Sequence, residues 1–420
     1  MQSGLYLELT GKKLMVSHHE VEAGGDRPEV YKIIRPVQIP FQSYPFEWSY
    51  TQWRKSILAF LEINLIALKY GMILKDASPR NFYLTGGKSI LFDTSSFMFF
   101  KANDFWLAYH QFCEEFLSPI ALMHFNGLKW GRLTSAQLGG LPLPFVSKQL
   151  HWRSKLNLTC LLHIHWHSGY GGAEMQSDKK KHQKGFDAEK LSNLLLMIRS
   201  AILSWDKPLQ LRQYRWPGYY ECDIESEDYL VQKEHIFQEW LSETAPATVI
   251  DLGANTGKFS LLAAKYAAYV IALEYDENCV DEIEKKIEKD SIINITALIG
   301  DLAETTPGLG ILNKEYSSIF NRGKSEMVLG MALIHHLCLG RNIRLNLVAE
   351  LFAEFTTGYA VVEFVPKEDS KSAKLLNGRD DVFGDYNEAH FINEFSLWFD
   401  LLKVAQLGNT GRKLFLWKKK

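Results

Sequence analysis

No apolar run in this chain approaches the eighteen or so residues of a membrane-crossing helix. The opening ten residues, Met1 to Thr10, are polar and include Glu8, so a secretory leader is not expected. Cysteine is sparse. The five, at Cys113, Cys160, Cys222, Cys279 and Cys338, are odd in number, scattered and without a C-x-x-C pair. That excludes a disulfide framework and points to a reduced, cytoplasmic setting. Charge of one sign is also lacking. A net charge of −2 and a pI near 6.7 supply no general drive toward nucleic acid. The closing run Lys418 to Lys420 reads as a solvated tail. No internal repeat is visible. What is present is 46% hydrophobic residues, enough for real cores, on 420 residues, enough for two or three domains.

The most informative segment is Val249-Ile-Asp-Leu-Gly-Ala-Asn-Thr-Gly-Lys-Phe-Ser260. It reads as a buried strand that ends on an acid, turns through two glycines and enters a helix. Asp251, Gly253, Asn255 and Gly257 occupy alternate positions. Glycine at 253 permits backbone angles closed to other residues, and glycine at 257 permits close packing at the helix start. Free N–H groups in that first turn suit an anion. A dinucleotide loop would show G-x-G-x-x-G after an apolar strand end; this spacing differs and an acid precedes the first glycine.

The pattern continues downstream. Tyr269-Val-Ile-Ala-Leu-Glu274 is a second apolar strand ending on an acid, placed to accept two ribose hydroxyls. Val280 to Lys289 reads as an amphipathic helix. Ile295 to Asp301 is a third strand, with Asp301 placed for an adenine amino group. Met327 to Ile334 is a fourth, leading into His335-His336, and Tyr359 to Val365 is a fifth. Strands alternating with helices imply an α/β, doubly wound, mostly parallel sheet, whose ligands sit beyond the carboxyl ends of the strands. Asp251, Glu274, Asp301 and His335 all fall there.

The N-terminal part carries another constellation. Asp76 and Asn81 have the D-x-x-x-x-N spacing of a kinase catalytic loop, and Asp93 lies where the metal-binding acid of D-F-G would lie. No H-R-D precedes the loop, Thr94 and Ser95 replace Phe and Gly, and no Gly-rich phosphate loop is evident. Lys32 has no evident acidic partner. The expected organisation is an α+β domain with kinase-like fragments over residues 1–168, a linker and helical connection over 169–224, and the α/β domain over 225–420. Gly169 to Lys184 reads as an exposed loop, Leu191 to Trp205 as a helix, and Trp216 to Tyr220 as a break.

Taken together, these residues resemble the NoeA-type host-specific nodulation protein family of class I S-adenosylmethionine (SAM)-dependent methyltransferases. The N-terminal signs are Tyr44-Pro-Phe-Glu-Trp-Ser49, Leu74-Lys-Asp-Ala-Ser-Pro-Arg-Asn81 and Phe92-Asp-Thr-Ser-Ser-Phe97. The C-terminal signs are Asp251-Leu-Gly-Ala-Asn-Thr-Gly257, Ala332-Leu-Ile-His-His-Leu337 and Val362-Glu-Phe-Val-Pro-Lys367 with Asp381-Val-Phe383. The resemblance implies a Rossmann-like seven-stranded class I domain that binds SAM and methylates an acceptor. The implied cofactor residues are Asp251, Gly253, Asn255, Thr256, Gly257, Glu274 and Asp301. The chain departs from the pattern between Thr305 and Asn321, where a tryptophan-bearing loop would be expected.

His335 and His336 are the candidate general bases, because an ordinary imidazole titrates near neutrality; His335 is slightly preferred. Glu363 is either a backup base or a buried, paired carboxylate, and Lys367 and Asp369 are candidates for the pocket rim. No N-P-P-Y-like segment or Pro-Cys nucleophile follows the fourth strand, which disfavours nucleic-acid bases. A small-molecule or saccharide hydroxyl is the expected acceptor, with no membrane partner. The alternatives are a SAM-binding scaffold without turnover and a bifunctional protein with a kinase-like N-terminal domain. His163, His165 and His167 alternate and would share one face of a strand, but no full metal-ligand set accompanies them, and no metal is expected.

Overall fold

The computed structural model of the chain describes residues 4–21, 30, 32–102, 105–170, 187–209, 227–376 and 382–420. The chain divides into two compact units, Met1–Arg212 and Gln213–Lys420.

The N-terminal unit is organised around the helix Tyr50–Lys69. Ser49 caps it. Its hydroxyl faces the Gln52 N–H at 3.4 Å, and the Gln52 carboxamide accepts the Ser49 N–H at 2.9 Å. Trp53, Ile57, Phe60 and Leu61 on this helix are fully buried in the unit's core. Strands β1 (His18–Val21) and β2 (Ile33–Pro36) pair antiparallel. So do β3 (Met72–Leu74) with β6 (Phe97–Phe99), and β4 (Phe82–Thr85) with β5 (Lys88–Leu91). Gly86 and Gly87 close the β4–β5 hairpin with both φ angles positive, the geometry tight hairpins require. Nesting one antiparallel pair inside the other sets the 75–81 loop against the 92–96 loop. The Lys75 N–H donates to the Ser96 carbonyl at 2.8 Å, and the Phe92 N–H donates to the Asn81 carbonyl at 2.9 Å.

Two sequence expectations change here. The helix Ala188–Ser204 was expected within a connecting segment, yet Leu191, Leu195, Ile198 and Ile202 are buried in the N-terminal core. Its apolar stripe needs a partner surface, so it belongs to that unit. The segment with His163, His165 and His167 is not a strand but a π-helical turn, Leu161–Trp166, followed by a 3-10 turn. His165 is held by Ser147 and Ser154 at 2.9 and 2.8 Å, while His163 meets Tyr109 and His167 meets His110. Among the described residues, no three potential metal ligands converge. Most of the expected loop at 169–184, the break at 216–220 and Cys222 lie outside the described residues.

The C-terminal unit holds a seven-stranded sheet. Its strands are β7 (Thr248–Leu252), β8 (Tyr269–Glu274), β9 (Ile295–Ile299), β10 (Ser325–Gly330), β11 (Thr356–Phe364), β12 (Phe399–Gln406) and β13 (Lys413–Lys419). They lie in the order β12-β13-β11-β10-β7-β8-β9. Strands β7 to β11 are parallel, and β13 inserts antiparallel between β11 and β12. This is the doubly wound, mostly parallel seven-stranded arrangement expected from the sequence. The near-continuous burial of β7, β8 and β9 is what a parallel sheet covered on both faces demands. Chain order runs outward one way from β7 to β9 and the other way from β10 to β11, so the sheet's switch point lies between β7 and β10.

The lysine run is not a solvated tail. Lys418 and Lys419 belong to β13, and Lys419 Nζ donates to the carbonyls of Ala353 and Thr356. Lys32 is likewise ion-paired, with Glu20.

Candidate active site

The loop after β7 and the turn after β10 flank the switch point. Gly253 takes φ +70°, and its N–H donates to the Leu273 carbonyl at 2.9 Å. A Cβ there would sit 2.9 Å from the Leu333 side chain, so the two loops close together only over a glycine. Asn255 also adopts a left-handed conformation, φ +50°, and its N–H donates to Glu274 Oε2 at 2.7 Å. The Asp276 N–H donates to Glu274 Oε1 at 2.8 Å. The carboxylate at the end of β8 is thus fixed by two backbone amides while it keeps further acceptor capacity. Burial raises its pKa against those bonds.

Gly253, Asn255, Glu274, Asp301 and His336 line one cavity of about 240 Å³. Met331, Leu333 and Leu337 give it apolar walls, and Arg341 stands at its edge. The remaining expected residues lie behind this surface. Asp251 is buried at the end of β7 and accepts the Ser260 hydroxyl at 2.6 Å, which ties the strand to the helix Lys258–Ala263. Burial pushes its pKa up to about 7; the nearby Glu274 charge adds to this, and Ser260 and Lys233 oppose it. Thr256 offers its carbonyl to Lys286 Nζ at 2.7 Å. Gly257 starts the helix at φ +80°, packed against Ile283.

The two histidines separate clearly. His336 opens a π-helical turn, His336–Gly340, and lines the cavity. His335 is fully buried beside it, ring centroids 4.2 Å apart, and neither of its ring nitrogens meets a hydrogen-bond partner among the described residues. Burial holds the His335 pKa well below the usual value, with His336 and nearby cations contributing. The same causes, burial first and then Lys371 and Arg412, take His336 to about 4. The sequence gives no preference for the second histidine; the π-turn that exposes it leaves no spacing signal.

Glu363 proves to be a paired, fully buried carboxylate. It binds Tyr229 and Lys233 from the helix Glu227–Thr244, and Arg412 Nη1 lies 3.6 Å away. Arg412 in turn grips Asp369 through Nε at 2.8 Å and Nη2 at 3.1 Å. Burial raises the Glu363 pKa, but Lys233 and Arg412 outweigh it and hold the group ionised. Asp369 therefore serves this network, and Lys367 donates to the Phe383 carbonyl at 2.6 Å; neither lines the cavity. Arg341 is a residue the sequence reading missed. Its Nη2 pairs with Asp301 Oδ2 at 3.0 Å, and Asp301 Oδ1 accepts the Ala303 N–H at 2.9 Å. The 305–321 departure forms a small bridge between Leu309 and Tyr316 around a 3-10 turn.

The N-terminal constellation also assembles. Asn81 Nδ2 donates to Asp76 Oδ1 at 3.0 Å and lies 3.5 Å from Asp93 Oδ2. The Ser96 hydroxyl donates to Asp93 at 2.7 Å and reaches Asp76 at 3.2 Å.

No family model matches the chain. The chain is 28% identical over 389 residues to nodulation protein NoeA of Rhizobium meliloti (strain 1021), covering 90% of this chain and 80% of that one. The similarity to NoeA thus runs over both units of the chain. Solved structures that resemble it include the N-methyltransferase NodS of Bradyrhizobium japonicum WM9. It is 8% identical, covers 47% of this chain and 99% of that one, and has a TM-score of 0.35. Magnesium protoporphyrin IX methyltransferase of Synechocystis PCC 6803, with bound S-adenosylhomocysteine (SAH), is 17% identical. It covers 49% of this chain and 93% of that one at a TM-score of 0.36.

Proposed function

We propose that the C-terminal unit is a SAM-dependent methyltransferase acting on a small-molecule or saccharide hydroxyl. One observation carries this reading: Gly253, Asn255, Glu274, Asp301 and His336 meet on one cavity at the sheet's switch point. The donor set fits the cofactor. Glu274 is oriented by two amides and accepts the ribose hydroxyls; Asp301 accepts the adenine amino group. Asp251 acts from behind the loop, supplying negative charge toward the cofactor's ammonium and anchoring the helix through Ser260. Gly257 and Thr256 shape that loop.

When bound, SAM supplies a methyl carbon on a sulfonium, a leaving group that needs no activation. An acceptor hydroxyl taking that methyl group would release SAH and give up its proton to a base of the chain. The protein's task is to hold the nucleophile in line and take that proton. His336 is the base, because it faces the cavity in its neutral form at pH 7. His335 packs behind it and sets its ring, a positioning role. The test is calorimetric titration of the whole chain with SAH, followed by a screen of hydroxyl acceptors for SAH release. Binding near one per chain supports the reading; no binding to folded protein overturns it. SAH binding with no transfer to any acceptor would favour a scaffold that retains the cofactor.

A second reading concerns the N-terminal unit. The meeting of Asp76, Asn81 and Asp93 supports a kinase-like ancestry. Titration with ATP–Mg²⁺, in wild type and Asp93→Ala, tests whether phosphotransfer machinery survives.

A further inference from the structure

One part of the N-terminal unit combines apolar exposure with charge of a single sign. No Asp or Glu occurs between Glu115 and Glu174, although acids outnumber Lys and Arg over the whole chain, 49 to 47. Lys129, Arg132, Lys148, Arg153 and Lys155 all fall in that stretch. So do large apolar side chains that stand more than half in solvent: Leu156 at 78%, Trp152 at 61%, Trp166 at 60% and Leu158 at 59%. Single exposed apolar residues are ordinary, whereas a cluster of them marks a contact surface.

His165 pins the cluster together. The helix Leu143–Gln149, the 3-10 turn Trp152–Leu156 and the π-helical turn Leu161–Trp166 meet at its ring. The two ring nitrogens lie 2.9 Å from the Ser147 hydroxyl and 2.8 Å from the Ser154 hydroxyl. Lys148 follows Ser147, and Arg153 and Lys155 flank Ser154, so these exposed cations are brought beside the π-helical turn. Burial first, and then the nearby Lys155 charge, lower the His165 pKa. The Arg153 guanidinium lies 5.8 Å from the Trp152 ring centroid. Among the described residues, none of Lys148, Arg153 and Lys155 pairs with a carboxylate.

Leu158 to Trp166 carries no acid, lysine or arginine. Thr159, Cys160, His163 and Ile164 turn inward and are buried. Leu158, Leu162 and Trp166 recur every four residues on the side left open. A helix that is apolar all round is normally covered all round; this one is covered on one side.

An acid-free basic surface selects an anionic partner, and apolar side chains among the cations select one with an accessible apolar layer. Nucleic acid could stack on the tryptophans but offers little to the branched side chains of Leu156 and Leu158. An anionic bilayer meets both demands. Indole rings sit at headgroup level, leucines enter the acyl boundary, and lysine and arginine reach lipid phosphates. We propose that this patch docks on an anionic lipid surface through Trp152, Leu156, Leu158 and Trp166, with Lys148, Arg153 and Lys155 supplying the charge. The expectation of no membrane partner rested on the lack of a crossing helix. Among the described residues no helix is long and apolar enough to cross, and docking at the surface needs none.

The test is co-sedimentation of the full chain with vesicles of phosphatidylcholine, with and without phosphatidylglycerol, at low and high salt. The expected result is binding to the phosphatidylglycerol vesicles that falls as salt rises. Binding should weaken at least about tenfold in the triple variant Lys148→Gln, Arg153→Gln, Lys155→Gln. The double variant Trp152→Ser, Trp166→Ser should lose a similar factor. Both variants alter exposed side chains, so melting temperature and SAH affinity should match wild type. Three outcomes overturn the proposal: no binding to anionic vesicles, equal binding to neutral ones, or binding untouched by both variants. Patch-dependent binding of polyuridylate, or patch-dependent self-association on gel filtration, without vesicle binding would assign the surface to another partner and overturn it too. The docking stands or falls separately from the methyltransferase reading, which SAH titration tests.

Discussion

Each unit gathers carboxylates where two loops meet, but the acids are held differently. In the C-terminal unit, Glu274 is fixed by backbone amides of Asn255 and Asp276 and faces a cavity. In the N-terminal unit, Asp76 and Asp93 are tied to each other through the side chains of Asn81 and Ser96. Their titration splits. Burial raises Asp76, whereas at Asp93 the bonds from Ser96 and Ser95 outweigh burial and lower it. Amides aimed from strand ends leave the acid's outer lone pairs for a ligand. Side chains bridging two acids consume that capacity within the protein. The comparison favours the C-terminal cluster as the working site.

The strongest challenge to that contrast is removal of the base. His336→Ala should lower methyl transfer by roughly 10²–10⁴-fold while SAH affinity stays within a few-fold, measured by SAH release and calorimetry. His335→Ala should act through protein stability and ring orientation, and His335→Gln should recover part of the rate. Full turnover in His336→Ala would remove it as the base.

Glu274→Ala comes next. Losing charge-assisted bonds to the ribose should weaken SAH by roughly 10–100-fold, read by calorimetry. Wild-type affinity would show the ribose assignment wrong.

The pH dependence follows from Asp251. Its folded-state pKa, about 7, lies above the ordinary aspartate value. Its contribution to unliganded stability is therefore present below that ordinary value and lost as pH rises through about 7. A bound ammonium prefers the ionised form, so SAH affinity should fall up to about tenfold per unit as pH drops below 7. Asp251→Asn should flatten that slope in titrations across pH 5.5–8.

Gly257→Ala places a Cβ 2.8 Å from Ile283 at φ +80°. A loss of about 1–3 kcal/mol is expected in thermal or urea unfolding. The smallest effect belongs to the other unit: Asp93→Ala should leave SAH affinity unchanged.

The five parallel strands were legible because each is a buried apolar run, whereas β12, mostly exposed, and β13 carried no such signal. Asp251, Glu274 and Asp301 mark the ends of the first three, and alternation with helices implies a parallel sheet, though not its strand order. The choice between His335 and His336 was not legible, because a π-turn shifts the side-chain register and leaves no pattern. Arg341 and Arg412 were invisible for a related reason: their partners, Asp301 and Asp369, lie about forty residues away in sequence. The three alternating histidines misled, since a period of two suggests a strand while the helix Leu161–Trp166 turns His163 and His165 to different neighbours.

The most direct measurement is calorimetric titration of the folded full-length chain with SAH at pH 7.5. The account predicts binding at about one per chain, weakened in Glu274→Ala and untouched in Asp93→Ala. No heat of binding, in a sample shown to carry no copurified cofactor, would contradict it.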